Sequence, residues 1–272
     1  MKARRIAALL LAAGLSLAAL TACSGGGKEQ ENASGDLLAQ IKERGEIVVA
    51  MEGTWSPWCY HDGSGALVGY DVEVAQAVAD KLGVRASFVE GEFNGLLAGL
   101  EDGRYDVIVN GVDIDESRRE KYTFSVPYAY NRTAVIVRAD DNSIQSMEDL
   151  AGRQTANTLQ STYATLAREY GAQVTGVDDF NQTIELLLTG RIDATLNAEA
   201  SYYDYIKAHP DAQVKIACID PAATQVAIPM RKTGDTASLK GAIDQALDEL
   251  AQEGTLTELS VKYFGTDISQ AP

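Results

Sequence analysis

Two α/β lobes in series, each a doubly wound sheet crossed by helices, with a ligand site in the cleft between them, are what this 272-residue sequence predicts. Three observations lead there. Strand-like and helix-like stretches alternate from residue 47 to residue 263, the pattern of sheets covered by helices. Roughly 235 residues follow a short Gly/Ser-rich stretch, which suits two domains of ordinary size better than one core. Residues with ligand-binding chemistry fall at strand ends in both halves, where open α/β sheets receive ligands.

The elements follow in order. Ile47–Ala50 is an apolar strand, then comes the aromatic loop Trp55-Ser56-Pro57-Trp58. Cys59–Tyr70 reads as a hairpin turning at Asp62-Gly63-Ser64-Gly65. Val72–Leu82 has apolar residues at helical spacing and stops at Gly83. Val84–Val89 alternates as a strand, Phe93–Leu100 is a short helix, and Val107–Val109 is a strand ending at Gly111. An acid-rich turn then carries Arg118, and a return strand closes on Phe124 and Ser125. The second series has strands at Ala134–Val137, Gln154–Asn157, Val174–Val177, Ala194–Leu196, Gln213–Ala217 and Gln225–Ile228. Between them lie a helical turn at Ser146–Leu150 and helices at Ser161–Tyr170, Phe180–Leu188 and Ala200–Ala208. Helices Leu239–Gln252 and Leu256–Tyr263 close the chain.

The N-terminus predicts export. Lys2, Arg4 and Arg5 precede the apolar run Ile6–Leu20, whose fifteen residues fall short of the roughly 20 that span a bilayer, so residues 1–22 read as a signal segment. Residues 24–35 are rich in Gly and Ser and read as a flexible tether. Net charge is −16; without the three basic residues of the signal segment, 20 basic stand against 39 acidic residues, or −19. That field opposes nucleic acid and an anionic membrane surface and favours cationic ligands. Cys59 and Cys218 fall in different predicted lobes, where a bridge would lock a hinge, so they read as free thiols. The two histidines and these cysteines have no metal-site spacing, and no cofactor is expected.

The segment from Asp106 to Tyr128 says most about function. It brings a backbone carbonyl (Gly111), an acid (Asp113) and an arginine (Arg118) to one strand end. An arginine fork holds a carboxylate by two parallel charge-assisted bonds, while acid and carbonyl accept an ammonium. Gly111–Arg118 resembles the Gly-x-Thr-x-Thr-x-x-Arg signature of the polar amino-acid solute-binding proteins of bacterial importers. Leu67–Val74, Phe93–Leu97, Arg191–Thr195 and Tyr263-Phe264-Gly265 resemble further motifs of that family in order, and the likeness covers about Asp36–Gly265. Leu20-Thr21-Ala22-Cys23 resembles the lipobox of bacterial lipoproteins, which implies a lipid on Cys23.

The resemblance implies a hinged periplasmic-binding-protein-like clamp. The chain would cross near Tyr128–Arg132 and return near Thr224–Val226, giving one lobe of residues 36–128 plus 226–272 and another of 129–225. Arg118, the Thr162 N–H and the Ser161 hydroxyl would hold the α-carboxylate, and the Gly111 carbonyl the α-ammonium. Trp55 and Phe93 would sandwich the side chain, with Trp58 adding to that wall, and Glu52 would face its far end. The sequence departs from the pattern at Asp113, where the family has threonine, at Ala198, where it has the ammonium-pairing aspartate, and at Gln160-Ser161-Thr162, where it has Gly-Thr. Asp113, with Glu199, is the expected replacement for the ammonium partner. The expected function is a monomeric, membrane-anchored lipoprotein delivering a polar amino acid, a basic one or cystine, to the permease subunits of an ABC importer. The alternatives are a dehydratase of prephenate-like acids on the same fold, and a ligand sensor for a membrane kinase.

Overall fold

The computed structural model describes residues 35–272; the predicted signal segment, Cys23 and the tether up to residue 34 lie outside the described residues. The chain opens with helix α1 (Leu37–Arg44), which the sequence reading did not anticipate. Asp36 caps it by accepting from the Ala39 N–H at 2.9 Å, and Gly45 ends it in the left-handed region (φ 72°). The first sheet is parallel, with β1 (Glu46–Met51) between β5 (Arg85–Glu90) and β6 (Val107–Ile108). Between β1 and β5 come the small antiparallel sheet β2 (Thr54–Trp55), β3 (Cys59–His61) and β4 (Leu67–Val68), then α2 (Tyr70–Leu82). Successive side chains of β1 point to opposite faces. Ile47, Val49 and Met51 join the core shared with α1 and α2, while Ala50 joins Phe93, Leu96 and Leu100 of α3 (Phe93–Glu101). Helix α4 (Glu116–Lys121) and strand β7 (Tyr122–Phe124) complete this half.

The second sheet has β8 (Ala129–Arg138), β9 (Gln154–Asn157), β10 (Gln173–Gly176), β11 (Ala194–Ala198) and β12 (Val214–Val226) in the order β10-β9-β11-β8-β12. Helices α5 (Thr162–Glu169), α6 (Phe180–Leu188) and α7 (Glu199–Ala208) connect its strands. It is mixed: β9, β10 and β11 are parallel, but β8 runs against both β11 and β12. The sequence predicts two strands where β12 is one edge strand running to Val226. Asp220-Pro221 reads as a break, but register shifts between Ile216 and Cys218 and between Ile219 and Ala223 absorb it. Strand β13 (Pro229–Arg231) then pairs with β7 in the first half, and α8 (Ala237–Gln252) and α9 (Thr255–Phe264) pack on α2.

The segments expected to cross between lobes are neighbours: Ala129 pairs with Val226, Tyr130 with Gln225 and Asn131 with Thr224. The start of β8 is pinned by α2. The Tyr70 hydroxyl donates to the Tyr128 carbonyl (2.9 Å), and the Tyr128 hydroxyl donates to Asp71 Oδ1 (2.7 Å). Asp71 is fully buried, and that burial pushes its carboxyl up to about 7 against the Tyr128 bond. Cys59 is buried and Cys218 half-buried, both as free thiols.

Candidate functional site

Between the two sheets lies a cleft with about 510 Å³ of non-atom space, counting open solvent at its mouth. The first lobe lines it with Glu52, Trp55, Phe93, Asn110, Gly111, Asp113 and Arg118. The second contributes the ends of β9 and β11 and the starts of α5 and α6, through Asn157, Ser161, Thr162, Asp179, Phe180 and Asn197 among others.

Arg118 is buried at 6 % exposure, an environment it tolerates because each nitrogen has a partner. Nε faces Asp115 at 3.3 Å, Nη1 donates to the Asp113 carbonyl (2.9 Å), and Nη2 donates across the cleft to the Gln160 carbonyl (2.8 Å). Asp115 also caps α4 by accepting from the Arg118 N–H, so the acidic turn fixes both backbone and guanidinium. The guanidinium carbon sits 5.8 Å from the Phe93 ring centre. Nη1 and Nη2 each keep a second N–H, and a carboxylate takes such a pair.

Gly111 is constrained twice. Its φ is +54°, and a Cβ there would come within 2.5 Å of the Trp55 ring. Trp55 itself stacks on Trp58 with centroids 5.3 Å apart and donates its indole N–H across the cleft to Asn197 Oδ1 (3.2 Å). Asp113 is buried, which raises its carboxyl above the usual range. Its two oxygens accept from the hydroxyls of Thr162, across the cleft, and Thr224, on β12. It therefore ties the first lobe to the crossing strand and the second lobe while lining the cleft.

Three expected contacts are arranged differently. Trp58 is fully buried behind Trp55, against Tyr70 and Phe264, and does not line the cleft. Glu199, at the start of α7, pairs with Arg132 at 2.6 Å and also stands outside the lining; an acid at a helix start has the positive helix end and a nearby arginine to satisfy it. The Ser161 hydroxyl caps α5: it accepts from the Ala164 N–H (3.1 Å) and donates to the Thr158 carbonyl (2.7 Å), so its proton is committed.

The far end of the cleft holds residues the sequence reading missed. Asn110 grips Glu52 from both sides, donating Nδ2 to Glu52 Oε2 (2.8 Å) and accepting the Glu52 N–H at Oδ1 (2.7 Å). Burial pushes the Glu52 carboxyl up to about 7, opposed by the Asn110 bond and reinforced by the negative charge of Asp179. Asp179 caps α6, accepting from the Gln182 N–H at 3.0 Å. The cap signal, an aspartate just before the Phe180 helix, is visible in the sequence; that it lines the same cleft as Glu52 is not.

Bonds across the cleft bring the lobes together: Trp55–Asn197, Asp113–Thr162, Arg118–Gln160, Asn94 to the Gln160 N–H (3.0 Å) and Ser56–Asp204 (2.6 Å).

The model of the bacterial extracellular solute-binding proteins, family 3, matches residues 47–266, and the chain belongs to that family. It is 37 % identical over 260 residues to the L-cystine-binding protein TcyA of Bacillus subtilis, covering 94 % of this chain and 96 % of that one. Among solved structures, an ancestral arginine-binding protein bound to arginine superposes with a TM-score of 0.76 at 34 % identity, over 82 % of this chain and 99 % of that one. The L-cystine solute receptor of Neisseria gonorrhoeae, in its unliganded open conformation, is 38 % identical over 87 % of this chain and all of that one, yet superposes at 0.59. The sequence-closer structure fits less well, in keeping with lobes that are drawn together here and apart there.

Proposed function

We propose that this protein captures a polar amino acid outside the cytoplasm and delivers it to the permease subunits of an ABC importer, and that the amino acid is basic or is cystine. The observation that carries the reading is Arg118: a buried guanidinium lining the interlobe cleft together with Gly111 and Asp113, bonded to the Asp113 and Gln160 carbonyls and keeping a second N–H on each Nη. In this reading Arg118 and the Thr162 N–H take the α-carboxylate, and the Gly111 carbonyl and Asp113 take the α-ammonium. Trp55 and Phe93 flank the side chain, and Glu52 meets its far end. Family relatives named for cystine and for arginine support the ligand class.

The clamp closes about β8 and β12, with residues 36–128 plus 226–272 as one lobe and 129–225 as the other. A lipid on Cys23 leashes the monomeric domain to the membrane; Cys23→Ser is expected to release it from the membrane fraction. A thermal-shift screen over the amino acids and cystine tests the function. A ligand at 100 times its Kd adds about 2.7 kcal/mol of stability, and a screen in which no amino acid raises Tm would refute the proposal.

A further inference from the structure

We infer that Asp179 joins Glu52 in a two-carboxylate pole that selects an amino acid with a cationic side chain, such as arginine, lysine or ornithine, and rejects cystine, whose far end carries a second carboxylate. The inference rests on the amino-acid reading above and narrows it.

Charge is the first support. Among the described residues lining the cleft, the carboxylates are Glu52, Asp113 and Asp179, and the only Lys or Arg is Arg118. In the amino-acid reading Arg118 is spent on the α-carboxylate. Three carboxylates against one arginine leave the cleft at −2; a ligand with one carboxylate and two cationic groups offsets half of that, whereas one with two carboxylates and two ammoniums offsets none and leaves an anion facing Glu52 and Asp179. Like charges brought together out of water are strongly disfavoured.

The second support is the start of α6. A helix N-terminus in a cleft offers unpaired N–H groups and a positive dipole end, which is where an anion without a cationic partner would go. Here the Asp179 carboxylate occupies that end, with Oδ1 on the Gln182 N–H (3.0 Å) and Oδ2 on the Gln182 side-chain amide (3.2 Å). The same group thus adds negative charge and closes the anion position.

An independent observation comes from Asn157, which lines the cleft at 2 % exposure. Its amide nitrogen donates to the Leu196 carbonyl (2.7 Å), which fixes the amide's orientation and leaves Oδ1 as a buried acceptor without a partner. Such an acceptor calls for a donor. A guanidinium or ammonium supplies donors only and a carboxylate supplies none, so a wholly cationic far end suits this acceptor better than one that pairs an ammonium with a carboxylate. The raised Glu52 carboxyl, pushed up chiefly by burial and further by the negative charge of Asp179, agrees with a site that lacks a positive charge.

The test is calorimetry on the full chain with L-arginine, L-lysine, L-cystine and L-glutamine, for wild type and Asp179→Asn. Asparagine caps helices about as well as aspartate, so the substitution removes charge rather than the cap. Wild type is expected to bind arginine or lysine at least about tenfold more tightly than cystine or glutamine. Asp179→Asn is expected to cut the arginine-to-glutamine affinity ratio at least about tenfold. Cystine binding more tightly than arginine and lysine overturns this inference and leaves the amino-acid reading standing. An unchanged ratio in Asp179→Asn, including an equal loss for both ligands, removes Asp179 from the selection. No binding of any of the four ligands would overturn this inference, and the broader amino-acid screen would then decide the reading beneath it.

Discussion

The two ends of the cleft are built in opposite ways. At the end around Arg118, the key groups lie within eight residues of chain, from Gly111 to Arg118, and two of the arginine's three partners, Asp113 and Asp115, belong to its own turn, the third being Gln160 across the cleft. At the far end, Glu52, Asn110 and Asp179 come from three distant segments, and Glu52 is held against its preference, its carboxyl raised to about 7 by burial. The first is rigid, locally encoded and suited to what every amino acid shares. The second is assembled only by the fold and carries unbalanced charge that a particular side chain can relieve. In the proposed reading, shared recognition sits where the sequence is contiguous, and selectivity where it is not.

The sharpest way to break this division is Arg118→Ala. It is expected to abolish binding of every amino acid, a loss of roughly 10²–10⁴-fold, because the α-carboxylate would be buried without a partner. Calorimetry showing wild-type affinity would move the site elsewhere. Glu52→Gln is expected to weaken cationic ligands by roughly 10–100-fold and to turn the preference toward glutamine. A uniform loss across ligands would erase the distinction between the two ends.

The pH dependence sharpens the same contrast. With its carboxyl near 7, Glu52 is mostly protonated at pH 6 and mostly ionised at pH 8. A cationic ligand prefers the ionised form, so arginine affinity is expected to rise about tenfold from pH 6 to pH 8, with proton release on binding. In the unliganded chain the sign reverses. Glu52 and Asp71 are both raised in the fold, so between about pH 4.5 and 7 the folded state binds more protons than the unfolded, and these two groups make stability fall as pH rises. Tm of wild type against Glu52→Gln and Asp71→Asn checks this; slopes that match in all three would contradict it. The smallest effect is expected at the rim, where Ser56→Ala removes one cross-lobe bond to Asp204. Affinity is expected to drop about fivefold or less, mainly through faster dissociation in stopped-flow traces.

What could be read from the sequence follows the same line. The alternation of strands and helices and the Gly111–Arg118 turn were legible because each depends on local pattern, while the family resemblance pointed to Trp55 and Phe93, which line the cleft. Helix α1 was missed although Asp36 and Gly45 mark its ends. A doubly wound second lobe implies parallel strands, yet β8 runs antiparallel to its neighbours, because strand direction is not written in an apolar run such as Val135–Val137. Trp58 and Glu199 were expected in the cleft from their neighbours in sequence, but which way a side chain points was settled by Phe264 and Arg132, both distant in the chain. Asp179 was passed over for the same reason: its capping role is local, while its place opposite Glu52 is tertiary.

A crystal structure grown with L-arginine tests the account most directly. It predicts the α-carboxylate on Arg118, the aliphatic chain between Trp55 and Phe93, and the guanidinium within about 3 Å of the carboxylates of Glu52 and Asp179. Arginine bound in the opposite direction, or lying outside this cleft, would contradict it.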